Sequence, residues 1–346
     1  MSPARETPTG CPLCGGELLK LPAAQPGFRR GLSFDVLCCA ACDTSLVHPM
    51  EVDPSIYDAI YAHRDEVPGY DRYGRYARAV LEEADPLDFL ARSEDVYWAI
   101  RSCVERRGSG GRILDVGSGL GYLTYALRRA GHDATGMDVS KVAVEAATAR
   151  YGAHYREADL ADWSVRRAGE FDLVVMAELV EHVPDPVGFL GMAARLLAPG
   201  GELVITTPNR SYFPRSMTWE TDAPPVHLWW FSEASMRALA ARTGLGIDFV
   251  DFAPLNRTCP AQDIRIVRPG LPSFGAALDE ENRPLSREVL RREERERRPP
   301  FYRVRRWGSS WARRLRSLGV KLGVTPPGAR RGVLCAVMSR KDAREA

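Results

Sequence analysis

The chain has 346 residues, 45% hydrophobic and 27% charged, with a formal net charge of only +2. This is enough to bury a full core, and it is the composition of an ordinary globular protein, not of a globally nucleic-acid-binding one. No apolar run approaches the roughly 18 residues of a membrane span, and the polar start Met1–Gly10 lacks the hydrophobic core of a secretory signal, so a cytoplasmic location is expected.

The first region, residues 1–50, is rich in cysteine and glycine. Cys11-Pro12-Leu13-Cys14 and Cys39-Ala40-Ala41-Cys42 are two C-x-x-C pairs with 24 residues between them. Four thiolates so spaced suit a closed tetrahedral zinc site held between two short hairpins, with Cys38 an alternative to Cys39. A closed site has no open coordination position, so its expected role is structural or in recognition. Residues 51–110 read as helices. Tyr57, Tyr61, Tyr70, Tyr73 and Tyr76 could form a lid over a ligand or pack as a helical interface. A helix capped by Ser93 would put Val96, Tyr97, Ile100, Cys103 and Val104 on one face.

From residue 111 strands alternate with helices, which predicts a doubly wound α/β domain over 111–254. The expected strands are Ile113–Val116, Ala134–Asp138, His154–Glu157, Phe171–Met176, Glu202–Thr206 and Ile247–Phe252. Between them fall helices Gly121–Ala130, Lys141–Arg150, Pro186–Leu197 and Glu233–Arg242, with Ser140 and Ser232 placed as caps and Pro199-Gly200-Gly201 as a breaker. Residues 255–331 form an insertion without sheet pattern, and Val333–Met338, in the closing segment 332–346, returns as a last strand.

The most informative stretch is Ile113-Leu114-Asp115-Val116-Gly117-Ser118-Gly119-Leu120-Gly121, a buried strand running into a glycine turn. A dinucleotide fingerprint would need glycine at 122, where this chain has Tyr122. Asp115 before the turn would repel a pyrophosphate but can accept from a cationic amino group such as that of S-adenosylmethionine. Asp138 ends the second strand, where a carboxylate can accept both ribose hydroxyls. Asp159 offers a partner for an adenine amino group, with Leu160 to pack on the ring, and Glu178 just past the fourth strand joins the candidate cofactor contacts together with Gly117, Ser118, Gly119 and Gly121. Some of these acids could instead cap helices or turns.

These motifs resemble those of the class I S-adenosylmethionine-dependent methyltransferases, with a Rossmann-like seven-stranded sheet. Ile113–Gly121 resembles the first motif, Asp138 the ribose acid and Phe171–Met176 the fourth strand. Glu181-His182-Val183-Pro184-Asp185-Pro186 is similar to the turn of the small-molecule branch that includes ubiquinone-biosynthesis O-methyltransferases, and Thr207-Pro208-Asn209 closes a similar fifth-strand motif. The resemblance covers about residues 111–252 and 333–338. It implies a methyl donor far more specifically than an acceptor.

Methyl transfer asks the protein to position a nucleophile, exclude water and remove a proton where the acceptor carries one. His182 after the fourth strand and His227 before the Glu233 helix are the candidate bases. His182 could equally hydrogen-bond backbone. The run Leu228-Trp229-Trp230-Phe231 could wall a substrate pocket or pack in the core. No N/D-P-P-Y/F sequence follows the fourth strand, which argues against the exocyclic-amine methylation of many nucleic-acid base methyltransferases and leaves oxygen, carbon or another nitrogen as acceptor.

Charge is uneven. Residues 283–331 hold 16 Lys/Arg against 4 Asp/Glu, leaving a net −10 on the rest. Val304, Trp307, Trp311, Leu315, Leu318 and Leu322 recur at helical steps among arginines. Such a helix can pack its stripe on the catalytic domain, the simpler expectation, or lie on an anionic membrane through residues 301–322. The expected acceptor is a small molecule, such as a sugar or carrier-linked intermediate. The alternatives are an RNA acceptor, disfavoured by the acidic body, and a non-catalytic zinc- and cofactor-binding partner protein.

Overall fold

A computed structural model describes residues 8–22, 24–67, 69–212, 223–259, 275–297 and, with gaps, 311–341. Strands β1 (Leu18–Lys20), β2 (Gln25–Pro26), β3 (Ser33–Cys39) and β4 (Thr44–His48) pair antiparallel near the N-terminus. Helices α1 (Pro54–Ala62), α2 (Asp71–Ala79), α3 (Pro86–Ser93) and α4 (Asp95–Arg107) follow. Asp53 and Asp85 cap α1 and α3, each with proline in the first turn, where its missing N–H costs nothing.

The alternating part runs β5 (Arg112–Val116), α5 (Tyr122–Arg129), β6 (Asp133–Asp138), α6 (Lys141–Tyr151), β7 (Tyr155–Glu157), α7 (Leu160–Arg166) and β8 (Phe171–Ala177). It continues with α8 (Pro186–Leu196), β9 (Leu197–Pro208), β10 (Trp229–Trp230), α9 (Glu233–Thr243) and β11 (Leu245–Phe249). After α10 (Ala253–Thr258) and α11 (Arg287–Arg297), β12 (Val333–Arg340) inserts antiparallel between β11 and β9. The sheet order is β7-β6-β5-β8-β9-β12-β11, seven strands, with β5 to β9 parallel. Apolar residues alternate across it. Ile113 packs with Leu123, Ala126 and Leu127 on one face, while Leu114 and Val116 pack with Met176 and Leu190 on the other. Chain order reverses between β5 and β8, and the crevice at their carboxyl ends is where an open α/β sheet offers a ligand site.

Most expected elements are present with ends shifted by a residue or two, and Ser140 and Ser232 do cap α6 and α9. Four details differ. Ser93 does not cap α4; it ends α3, where its hydroxyl donates to the Phe89 carbonyl at 2.8 Å, and Glu94 takes the cap position. The buried face expected of α4 is nonetheless the one observed. Pro199-Gly200-Gly201 does not break the strand: β9 runs through it, and the pairing with β8 jumps from Phe171↔Leu197 to Leu173↔Glu202. The strand after α9 begins at Leu245, because left-handed Gly244 ends the helix at once, and Phe252 is released to pack in the core.

The fourth difference concerns the insertion's apolar stripe. Val304 and Trp307 lie outside the described residues, and Trp311, Leu315, Leu318 and Leu322 are exposed. The far end of the insertion is anchored. Arg331 has a side chain 1% exposed and pairs with Asp95, while its Nε donates to Asn256 at 3.0 Å. Removing the guanidinium strands the Asp95 carboxylate. We expect Arg331→Met to cost about 3 kcal/mol in a urea unfolding titration, within the range for breaking a buried pair; a change near zero would mean that this pair is not structural.

Candidate active site and cysteine cluster

The turn after β5 carries the first group of candidates. Gly121 has φ +79°, and a Cβ there would lie 2.7 Å from Ala147 Cβ and from the Tyr155 ring. At Gly119, φ +49°, the nearest atom to such a Cβ would be the Tyr61 hydroxyl at 3.8 Å, so this side of the turn opens on the crevice beneath α1. Leu179, just past β8, presses on Gly117 from the other side. The Ser118 hydroxyl is buried and finds no hydrogen-bond partner among the described residues.

Asp138 braces this turn. One carboxylate oxygen accepts from Gly119 N at 2.8 Å and the other from Ser140 N at 2.8 Å. Burial raises its pKa against these bonds. Asp115 is 2% exposed and accepts from the Thr124 hydroxyl at 2.7 Å, and burial pushes its pKa up to about 7. It therefore ties β5 to α5 beneath the turn. Asp159 caps α7, accepting from Ala161 N at 2.6 Å, and Leu160 is 4% exposed in the core beside Val116 and Met137.

Glu178 stands across the crevice from the glycine turn with φ +51°, a left-handed conformation that a side-chain-bearing residue adopts only when its surroundings impose it. Its N–H donates to the Thr206 carbonyl at 3.1 Å. Its Oε1 is buried and finds no hydrogen-bond partner among the described residues. Burial, and then the charge of Glu94, push its pKa up to about 7 against the pull of Arg72. Arg72 itself pairs with Glu94 at 2.7 Å and donates to the Tyr73 hydroxyl at 2.9 Å.

The two candidate bases lie together. The rings of His182 and His227 are 4.7 Å apart at 82°, and donor atoms of both and of Glu181 fall within 4.8 Å of one another. His182 Nδ1 lies 2.5 Å from the Val226 carbonyl, which also accepts from the Tyr57 hydroxyl at 3.2 Å. A carbonyl can only accept, so Nδ1 carries the proton and Nε2 keeps the lone pair. Burial lowers the pKa of His182 and drives that of His227 well down, with the His182 charge adding to the latter, so both rings are neutral at pH 7. Glu181 is wholly buried.

The aromatic run does not wall a pocket. Leu228, Trp229 and Phe231 are at most 1% exposed, held between the cysteine module and the sheet. Trp229 and Trp230 pair with Leu46 and Ser45 of β4, Val47 N donates to the Leu228 carbonyl at 3.0 Å, and the Ser232 hydroxyl donates to the Cys42 carbonyl at 3.0 Å. The five tyrosines divide. Tyr57 and Tyr61 reach the site, whereas Tyr70, Tyr73 and Tyr76 pack on Phe28, Tyr122, Phe89 and Tyr97. Tyr57 and Tyr61 follow the lid alternative allowed for them by the sequence, whereas Glu181 and Arg72 were not among its candidate site residues. The signals available were the four-residue step between the two tyrosines on one helix face and the acid next to His182.

At the N-terminus, the sulfurs of Cys11, Cys14, Cys39 and Cys42 all lie within 4.8 Å of one another, with Cys11–Cys42 at 3.7 Å and Cys14–Cys39 at 3.5 Å. A tetrahedral zinc with bonds of about 2.3 Å needs sulfurs about 3.8 Å apart. Gly16 N lies 3.4 Å from Cys14 Sγ, and a Cβ on Gly16 would crowd that sulfur and Cys39 Sγ at 3.3 and 3.2 Å. The donor set fits zinc. Cys38 turns away to Ser45, 3.3 Å from its hydroxyl, which favours Cys39 as the fourth ligand. In the crevice, the unpaired Ser118 hydroxyl, the unpaired Glu178 oxygen and the open side of Gly119 fit a cationic nucleoside such as S-adenosylmethionine.

Residues 91–248 match a family model described as a methyltransferase domain. The ubiquinone biosynthesis O-methyltransferase of Psychrobacter arcticus is 32% identical over 181 residues, 48% of this chain and 67% of that protein. The enzyme of the same name from Aromatoleum aromaticum is 36% identical over 109 residues, 30% of this chain and 47% of that one. This chain thus spans about half the length of several of the relatives it matches. A solved S-adenosylmethionine-dependent methyltransferase from Mesorhizobium loti overlays loosely, at TM-score 0.43 and 18% identity, covering 72% of this chain and all of that one.

The sulfur geometry makes a direct metal prediction. Wild type and Cys38→Ser should each carry about one zinc per chain by elemental analysis, and Cys39→Ser should lose it. Equal zinc in the two variants would move the fourth ligand elsewhere.

Proposed function

We propose that this chain, which belongs to the class I S-adenosylmethionine-dependent methyltransferases, methylates a hydroxyl of a small-molecule acceptor. The observation that carries the reading is the pair of imidazoles formed by His182, just past β8, and His227, with ring centroids 4.7 Å apart. Relatives named as O-methyltransferases support oxygen as the accepting atom.

S-adenosylmethionine supplies a methyl group on a sulfonium, so the leaving group departs uncharged. The protein's part is to hold both reactants and to take the hydroxyl proton. We assign Asp138, through the lone pairs its two backbone bonds leave over, to the ribose hydroxyls, and Glu178 to the cationic amino group. The lining of the turn by Gly117, Ser118 and Gly119 leaves main chain within reach of the ligand. Asp115 supports the turn from below through Thr124. Asp159 and Leu160 keep the adenine end as their assigned place at the carboxyl edge, with Asp159 also capping α7.

His182 Nε2 carries the free lone pair and is the assigned base. Tyr57 and the Val226 carbonyl fix its ring, so the lone pair keeps one direction. His227 and the buried Glu181 complete the polar wall on the acceptor side.

Two measurements test this. His182→Ala should cut methyl transfer to phenolic or sugar hydroxyls by about 100-fold or more while calorimetric affinity for S-adenosylmethionine stays unchanged, as removal of a general base requires. Unchanged turnover would take His182 out of the chemistry. The second reads Glu178. Its raised pKa of about 7 means that the carboxyl is neutral below that pH and ionised above it. Affinity for the cationic cofactor should therefore rise from about pH 6 to about pH 8, and Glu178→Gln should flatten most of the rise. A residual slope would belong to Asp115, which titrates in the same window.

A further inference from the structure

We propose that the helical face bearing Trp311, Leu315, Leu318 and Leu322 is a docking surface for an anionic lipid bilayer. These four side chains are 47%, 63%, 53% and 69% exposed, and Val324 just beyond is 76% exposed. Their spacing of four, three and four residues puts them on one side of a helix. Residues 311, 315 and 318–320 are helical, and the helix closes where Leu322 N donates to the Leu318 carbonyl at 2.9 Å and Gly323 turns left-handed at φ +72°. Side chains as exposed as Leu315, Leu318, Leu322 and Val324 are uncommon together on a monomer unless something covers them.

The surrounding charge selects the occupant. Between Phe301 and Leu322 the sequence has six arginines and one lysine and no aspartate or glutamate, whereas the rest of the molecule outside the basic segment is net negative. By their spacing in the sequence, these cations fall on the sides of a helical wheel away from the tryptophan and leucines, the pattern of a helix that lies in the plane of an anionic bilayer interface. RNA would engage the arginines but leave the leucines in water. No helix among the described residues is long and apolar enough to cross a membrane, so the contact is peripheral. This surface stands on its own observations; the consequence that acceptors borne by a bilayer come within reach rests on the methyl-transfer reading above.

The test uses the full chain with vesicles of phosphatidylcholine alone, vesicles containing phosphatidylglycerol, and a structured RNA. Co-sedimentation with the phosphatidylglycerol vesicles is expected, weakening as salt rises, with a blue shift of tryptophan emission that Trp311→Phe diminishes. The double variant Leu315→Asp, Leu318→Asp should lower vesicle affinity by about tenfold or more while leaving S-adenosylmethionine affinity and thermal unfolding unchanged. Both positions are exposed, so a folding defect is not expected, and the unfolding curve checks it. No binding to anionic vesicles, equal binding to neutral ones, or binding that survives the double variant would overturn the proposal. Binding to RNA in place of vesicles would overturn it in favour of a nucleic-acid partner. Failure of cofactor binding with vesicle binding intact would instead count against the methyl-transfer reading alone.

Discussion

The segment 223–232 is gripped from two sides, and the acceptor side of the site depends on that grip. From the N-terminal module, Phe28 N donates to the Pro224 carbonyl at 2.6 Å, and β4 pairs with β10. From the sheet side, Leu228 N donates to the Glu181 carbonyl at 2.8 Å and the Trp229 indole to the Val183 carbonyl at 2.9 Å. His227 sits between these anchors, so its ring is placed by both. The cysteine cluster lies at the root of β4, because Cys39 ends β3 and Cys42 lies in the turn that leads into β4. A metal there would fix the hairpin whose far strand holds the residues after His227. On the proposed assignment the module backs the acceptor side, although it supplies none of the candidate bases.

The opposite side of the crevice relies on electrostatics instead of strand pairing. Glu94, Glu178, Asp115 and Asp138 have carboxyls whose pKa burial raises, and Arg72 is the cation placed closest to the first two. Carboxylates gathered this closely are costly to ionise in the empty protein. A ligand that brings a positive charge relieves that cost. This is the physical reason a sulfonium and ammonium compound suits the crevice better than a phosphate-bearing one, and it agrees with the family match on independent grounds.

Much of this was legible in the sequence because it is local. Strand Ile113–Val116, its three glycines and the acid at Asp138 report on bonds made within a short stretch of chain. So do the paired cysteines, since a C-x-x-C knuckle sets its own geometry. The places where expectation and structure part are those governed by distant contacts. Leu228-Trp229-Trp230-Phe231 reads as pocket wall or core until β4 is known to lie against it. Asp115 reads as a ligand contact, and only the structure adds that the Thr124 hydroxyl donates to one of its oxygens. Tyr57 gains meaning only from Val226, 169 residues away. Pro199-Gly200-Gly201 reads as a break, yet the strand absorbs it as a bulge because the pairing resumes at Glu202.

The ends of the long insertion are stitched to each other. Asn256 donates to the Gly328 carbonyl and accepts from Arg331, and Arg331 also donates to the Cys259 carbonyl at 2.6 Å. Between those ends the insertion meets the body again: Ala277 N and Leu278 N donate to the Phe28 carbonyl at 2.8 and 3.1 Å, and Leu278 is fully buried. The insertion is thus pinned at its ends and at its middle, and exchanging it whole would strip the N-terminal module of packing partners.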